Sequence, residues 1–223
     1  RHKSVPMEQL LDEVRNLVKQ GVKEFNVIAQ DLSSYGLDLY GEMKLPELID
    51  RMTQIDGVEW IRLHYAYPTQ FPYEILPVMA RHDNVCKYLD IALQHVSDTV
   101  LDNMRRHIGK QETLELIARI RREVPGIHIR TTLMVGFPGE TEQDFEELRE
   151  FVRWARFDRM GAFAYSEEEG TPAQKKFNDE VSDEVKQQRL SELMEIQQGI
   201  SAEVQSCKVG KTLSVIIDRK EGE

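Results

Sequence analysis

The polar residues of this chain that could do chemistry recur at one kind of place, the ends of short apolar runs. Gln30 and Asp31 follow the run 24–29, His64 and Tyr65 fall near the end of 58–66, and Gln94 and His95 end 86–94. Thr132 lies within 129–135, and Tyr165 with Ser166 closes 159–164. An amide, imidazole or hydroxyl at a strand end can hydrogen-bond a ligand, and if these ends share one face they form a single polar mouth over an apolar core. Arg106, one helix beyond Gln94, could hold a ligand carboxylate in a bidentate fork; its alternative is a solvated arginine on a helix surface. His95 alone reads as a structural or rim histidine. With no carboxylate pair and no Ser, His, Asp order, hydrolase chemistry has no candidate. Asp90, inside an apolar run, reads either as a satisfied core carboxylate or as a polar contact inside a barrel.

The stretch 129–145 is the clearest of the elements that must position these groups. Ile129, Thr131, Thr132 and Val135 are β-branched, and Gly136, Phe137, Pro138 and Gly139 break the strand. Thr141 and Asp144 then have capping-box spacing ahead of a helical stripe of Phe145, Leu148, Phe151, Val152 and Ala155. Two glycines around a proline let backbone approach a ligand closely at the carboxyl end of a strand, although an ordinary β-to-α turn fits the same residues. Further strand ends near residues 30, 66, 94 and 165, each followed by an amphipathic or proline-opened helix, are spaced as parallel βα units. Helices are predicted over 6–20, from Pro46, from Pro72, after Ser97 and Asp98, through Leu114, Ile117 and Ile120, and over 181–205. The fold class is therefore α/β, either an open doubly wound sheet or a barrel. A last strand is predicted at 212–217, and it has no later partner.

The 223 residues carry a net charge of −10, with 40% hydrophobic and 30% charged residues. Such a chain buries a full core, gains nothing from non-specific attraction to nucleic acid or anionic membrane, and favours a basic partner. Cys86 and Cys207 lie far apart in sequence and form neither a disulfide framework nor a metal cluster, so both read as buried thiols of a reducing cytosol and no metal ligand is assigned. No run suits a bilayer span or a signal peptide, and the expected location is cytoplasmic with no membrane partner. Because it opens on Arg1, His2, Lys3 and Ser4, the chain reads as an excerpt of a longer protein.

Met134, Val135, Gly136, Phe137, Pro138, Gly139, Glu140 and Thr141, with Asp144 and Phe145 behind them, resemble the GFPGET-x-x-DF segment of radical S-adenosylmethionine methylthiotransferases. The stretch from Leu93 and Gln94 to Arg106 is similar to the family's LQ-x-x-SD-x-x-L-x-x-M-x-R segment, and Tyr165, Ser166, Gly170 and Thr171 to its YS-x-x-x-GT segment. The resemblance covers nearly the whole chain. It implies a partial parallel (β/α)6 radical-SAM barrel, truncated at the N-terminus so that the first strand and the loop with the CxxxCxxC cluster motif precede Arg1. Residues 1–205 would be the incomplete core, and 206–223 the start of a C-terminal TRAM-like β domain, which Lys211 to Asp218 resembles.

In that family a four-iron cluster, supplied with electrons by a donor, cleaves S-adenosylmethionine, and the resulting radical takes hydrogen from an unactivated carbon before sulfur is inserted. The protein's task is orientation and the exclusion of water. The implied cofactors are S-adenosylmethionine and 4Fe-4S clusters whose ligands lie outside this sequence, so the excerpt alone is expected to be inactive. By position Gln30 resembles a residue near the methionine amino group, Gln94 and Arg106 resemble cofactor contacts, and Thr132 and Gly136 line the adenosyl side. Arg106 would take the methionine carboxylate. Of two branches, Leu63, His64, Tyr65, Ala66, Tyr67 and Pro68 resemble the one that modifies an aspartate of a small-subunit ribosomal protein, as does the run Glu167, Glu168, Glu169 before Gly170. That acidic run, following the fifth strand, is read as bordering the mouth and binding a basic protein substrate, with a solvated loop as its alternative. The competing readings are a tRNA adenosine methylthiotransferase, with tRNA as substrate, and a non-catalytic barrel that binds an adenosyl ligand or a protein.

Overall fold

Five short runs rich in β-branched and aliphatic residues form one sheet in the computed structural model, which describes residues 3–217. Strands β1 (Glu24–Ile28), β2 (Trp60–Ala66), β3 (Val85–Gln94), β4 (His128–Val135) and β5 (Arg159–Ala164) pair in sequential order, and every pairing is parallel. A doubly wound sheet reverses its strand order at a switch point, whereas an unbroken order with right-handed crossovers puts every helix on the same side. The sheet is therefore a section of a parallel barrel.

Its outer face carries Phe25, Ile61, Leu63, Leu89, Ile91, Ile129, Leu133 and Met160, all buried. Helix α1 (Met7–Lys19) precedes β1; α2 (Leu37–Tyr40) and α3 (Leu45–Thr53) follow β1, α4 (Ile75–Arg81) follows β2, α5 (Asp98–Asn103) and α6 (Lys110–Glu123) follow β3, and α7 (Glu142–Ala155) follows β4. Apolar stripes such as Leu45, Leu48, Ile49 and Met52 on α3 seal the core. Last come α8 (Pro172–Lys176) and α9 (Asp183–Ser206), the latter lying along β5 and α7. Side-chain oxygens cap several of these helices: Ser97 accepts from the Val100 N–H, Ser182 from Val185, and Thr141 from Asp144, whose carboxylate accepts the Thr141 N–H in return.

Three expectations are corrected. The segment 212–217 forms no strand: Leu213, Val215 and Ile217 are exposed and pair with nothing among the described residues, and an apolar run needs a neighbouring strand to become one. The cysteines are not both buried, since Cys86 is half-buried on β3 and Cys207 is exposed where α9 ends. The inner face of the sheet, finally, is not apolar; Asn26, Arg62, His64, Tyr88, Asp90, Arg130 and Thr132 occupy it by strand alternation. The apolar core lies between sheet and helices. Arg1, His2 and 218–223, including Asp218 of the TRAM-like stretch, lie outside the described residues.

Candidate active site

A parallel sheet gathers the carboxyl ends of its strands on one rim, and here that rim turns through left-handed backbone three times. Tyr65 near the end of β2 has φ 61°, Gln94 at the end of β3 has φ 71°, and Gly136 just after β4 has φ 71°. Such conformations cost a non-glycine residue of order 1–3 kcal/mol and cluster at sites where a side chain must be re-aimed. Arg105 (φ 56°) and His107 (φ 52°) do the same on either side of Arg106.

Beside this rim lies a cavity of about 400 Å³. Gln94, Asn103, Arg105 and Arg106 line one side, Met134, Phe137 and Phe163 another, and Thr171, Ala173, Lys176 and Phe177 close it from the loop after β5 and from α8. Two arginines, a lysine and no carboxylate make it a cationic place in an acidic chain. Arg106 is held from several directions. Its guanidinium donates to the Ala92 carbonyl and lies 5.1 Å from the centre of the Tyr67 ring, and its own carbonyl accepts from the Thr69 hydroxyl at 2.9 Å. Its Nε is nevertheless buried without a partner. A buried, unsatisfied guanidinium N–H beside a cavity is a donor waiting for an acceptor.

The loop after β4 is clamped from behind. The Gly136 N–H donates to Glu140 Oε2 at 2.8 Å, and Arg189 Nη1 of α9 donates to Glu140 Oε1 at 2.7 Å. His95 Nδ1 accepts from the Ser97 N–H at 3.0 Å, so the ring proton sits on Nε2, which faces Glu140 Oε2 at 3.4 Å. His95 and Glu140 are both fully enclosed, which makes His95 structural and excludes the rim position. A Cβ on Gly136 would lie 2.3 Å from Lys186 Cγ, so α9 passes directly over the glycine and only glycine fits. Lys186 is itself buried. Burial pushes its ammonium pKa down, but Asp179 and Asp183 outweigh that and hold it raised.

The anticipated residues are dispersed unevenly around this geometry. Gln94 and Arg106 meet in the cavity, and Gly136 borders it through Phe137 and Met134. Thr132 lies half-buried on the inner face, one strand layer below Met134. Gln30 is exposed beyond the edge strand β1 and is not part of the cavity wall. Glu167, Glu168 and Glu169 sit exposed in the loop between β5 and α8, next to Thr171, whose N–H and hydroxyl both bond the Glu168 carbonyl. Residue patterns alone did not reveal the Tyr67 and Thr69 buttress or the Lys176 and Phe177 wall; the Leu63 to Pro68 motif contained the tyrosine without giving it a role.

S-adenosylmethionine fits these residues: Arg106 and Gln94 offer polar contacts for its amino-acid end, and Met134, Phe137, Phe163 and Phe177 offer apolar contacts for its adenine. The described residues do not themselves supply the ligands of the iron–sulfur cluster that the superfamily uses, which are expected to lie outside this sequence. Among the described residues no three His, Cys, Asp or Glu side chains are placed to hold a metal, and the sequence has only two cysteines.

The 223 residues align along their full length with the ribosomal protein uS12 methylthiotransferase RimO of Phocaeicola vulgatus, 66% identical and covering 52% of that protein. The protein of that name from Flavobacterium johnsoniae is 52% identical over 221 residues, covering 99% of this chain and 50% of its own length. The chain thus spans about half the length of the curated relatives it matches. Among solved structures, coproporphyrinogen III oxidase HemN of Escherichia coli superposes with a TM-score of 0.60 at 16% identity, over 87% of this chain and 46% of that one. The radical S-adenosylmethionine methyltransferase TsrM of Kitasatospora setae gives 0.56 at 19%, over 71% and 31%. These two speak for the fold alone. A sequential parallel sheet with a cationic, aromatic-walled cavity at its carboxyl rim is joined by a match of residues 1–152 to the model of the radical SAM superfamily, and to that superfamily the chain belongs.

Proposed function

We propose that this chain is the core of a methylthiotransferase that uses S-adenosylmethionine to place a methylthio group on an aspartate of a basic small-subunit ribosomal protein. The observation that carries the reading is 66% identity over all 223 residues to relatives that bear the name ribosomal protein uS12 methylthiotransferase. Bound S-adenosylmethionine would supply the methyl and, with an electron from an iron–sulfur cluster whose ligands lie outside this sequence, the radical, while the inserted sulfur comes from outside these residues. The residues of this chain do the rest: Arg106 holds the cofactor carboxylate, Gln94 its neighbouring polar atoms, and the Gly136 loop with Phe137 and Met134 shapes the adenosyl side. Gln30 and Thr132 take the remaining cofactor contacts that the resemblance implies. Glu167, Glu168 and Glu169 border the opening, where carboxylates repel a polyanion and attract the basic flank of a ribosomal protein.

The division into a core over 1–205 and the beginning of a TRAM-like β domain over 206–223 belongs to the same proposal. It is supported by the end of α9 at Ser206 and by the exposed, alternating Leu213, Val215 and Ile217, which suit a strand that meets its partner in a longer chain. No helix among the described residues is long and apolar enough to cross a membrane. A cytoplasmic location follows from the ribosomal substrate.

The test is reconstitution of the full-length protein under anaerobic conditions with reductant, S-adenosylmethionine and either small ribosomal subunits or tRNA. A methylthio group on the ribosomal protein, absent from tRNA, is the expected product. The reverse outcome replaces this reading with the tRNA one.

A further inference from the structure

Below the cavity, the inner face of β4 and β5 descends in three layers set by strand register. Met134 pairs with Phe163 and both line the cavity; Thr132 pairs with Gly161; Arg130 pairs with Arg159. Successive layers on one face are two residues, about 6.6 Å, apart. The middle layer is low. Gly161 has no side chain, and a Cβ built there would meet nothing within 4 Å, so open space separates the aromatic wall of the cavity from the two arginines beneath it.

Arg130 hydrogen-bonds the side chain of Tyr88 beside it, but its contact with its acidic partner is long. Its Nη1 lies 3.5 Å from Asp90 Oδ2, its register neighbour on β3, and half of its side chain is exposed. Another ion pair on this face is tighter: Arg62 Nε donates to Glu24 Oε1 at 2.8 Å, and both side chains are largely covered. Asp90 is an uneasy partner, because burial pushes its carboxyl pKa up and Arg130 and His64 only partly counter that. Arginine is suited to exchange one carboxylate for another, since its planar fork binds such a group bidentately.

We propose that Arg130 is the specificity-determining residue of the site: it leaves Asp90 and receives the carboxylate of the acidic side chain that enters past Gly161 to be modified. The assignment rests on the reading that the substrate is a protein carrying an aspartate. It deepens that reading by giving the target side chain a counter-ion, with Arg159 adding positive charge at the same depth. It also explains why small residues occupy the layer between cavity and arginine.

The experiment uses the full-length protein with S-adenosylmethionine bound and two synthetic basic peptides, one with a central aspartate and one with asparagine in its place. Binding is read by fluorescence anisotropy without reductant, and methylthiolation by mass spectrometry with it. The wild type should prefer the aspartate peptide by about tenfold or more, the scale of one charge-assisted contact. Arg130→Met should abolish that preference, Arg130→Lys should keep part of it, and S-adenosylmethionine binding should stay at the wild-type level in both. Gly161→Leu, which fills the gap, should weaken the aspartate peptide with Arg130 intact. If the wild type modifies the aspartate peptide and Arg130→Met keeps the full preference, the assignment to Arg130 is wrong and the functional reading stands. A wild type that modifies neither peptide while modifying tRNA overturns both.

Discussion

Arg106 shows how much of a site one side chain can hold and how it is kept ready. Left-handed backbone flanks it at Arg105 and His107, the Tyr67 face and the Ala92 carbonyl anchor it, and its buried Nε has no partner among the described residues. Arg106→Ala should weaken S-adenosylmethionine binding by about 1.5–3 kcal/mol, read by calorimetry on the full-length protein, whereas Arg105→Ala should cost far less. Equal and negligible losses for both variants would remove Arg106 from the cofactor site. Gly136 makes a second, steric case: Gly136→Ala forces a Cβ into Lys186 and strains φ 71°, and a loss of about 1–3 kcal/mol in stability is expected from chemical denaturation. Asp90 gives a pH-dependent one. Its carboxyl is raised by burial, so its contribution to stability is present in acid and falls away as pH rises through the folded-state value. Asp90→Asn should therefore hold or increase the melting temperature at neutral pH while leaving it unchanged in acid; a clear loss at neutral pH would mean that its pairing with Arg130 outweighs its burial.

At the level of elements, helix and strand positions were readable because their causes are local. The stripe from Phe145 to Ala155, the Thr141 and Asp144 capping box and the Ser97 cap all appear where their residue types place them. Asp144 also carries a pH signature. Burial raises its carboxyl pKa, but Ser97 and Thr141 outweigh burial and hold it low, so its contribution to stability persists above about pH 4 and is lost as pH falls through the folded-state value. What could not be read was pairing across long separations. Glu140 was visible only as part of a motif, yet it joins Gly136, His95 and Arg189, the last 49 positions away. No spacing rule links such residues, and the same holds for Lys176 and Phe177 on α8, a helix too short to show a periodic stripe. The strand expected over 212–217 failed for a related reason, since β propensity describes a fit to neighbours that the described residues do not supply. Arg189→Met should cost about 3–5 kcal/mol, because it leaves Glu140 charged and buried without its partner. The double variant Glu140→Gln, Arg189→Met should cost less than Arg189→Met alone, and a strictly additive loss would show that the two do not act as a pair.

The whole molecule separates its charges. Net charge is −10, yet the cavity holds two arginines and a lysine, and the inner face adds Arg62, Arg130 and Arg159. Asp90 and Glu140 are buried, whereas the run Glu167 to Glu169 is exposed in the loop between β5 and α8. That arrangement suits a protein partner whose surface is basic and whose reacting side chain is acidic, and it disfavours a nucleic-acid backbone. Replacing Glu167, Glu168 and Glu169 together with glutamine should weaken binding of the ribosomal protein, most visibly at low salt, while cofactor cleavage continues. The family was legible from three motifs at strand ends, and the spacing of those ends gave parallel βα units but left an open sheet and a barrel both possible, a choice the resemblance and then the sequential strand order made; the polar inner face emerged only once strand register was known. The most direct measurement compares the source organism with and without the gene, using mass spectrometry of its ribosomal proteins and of its digested tRNA. A methylthio mark lost from an aspartate of the ribosomal protein, with tRNA marks unchanged, is the result this account predicts. A mark lost from tRNA, with the ribosomal protein unaltered, would contradict it.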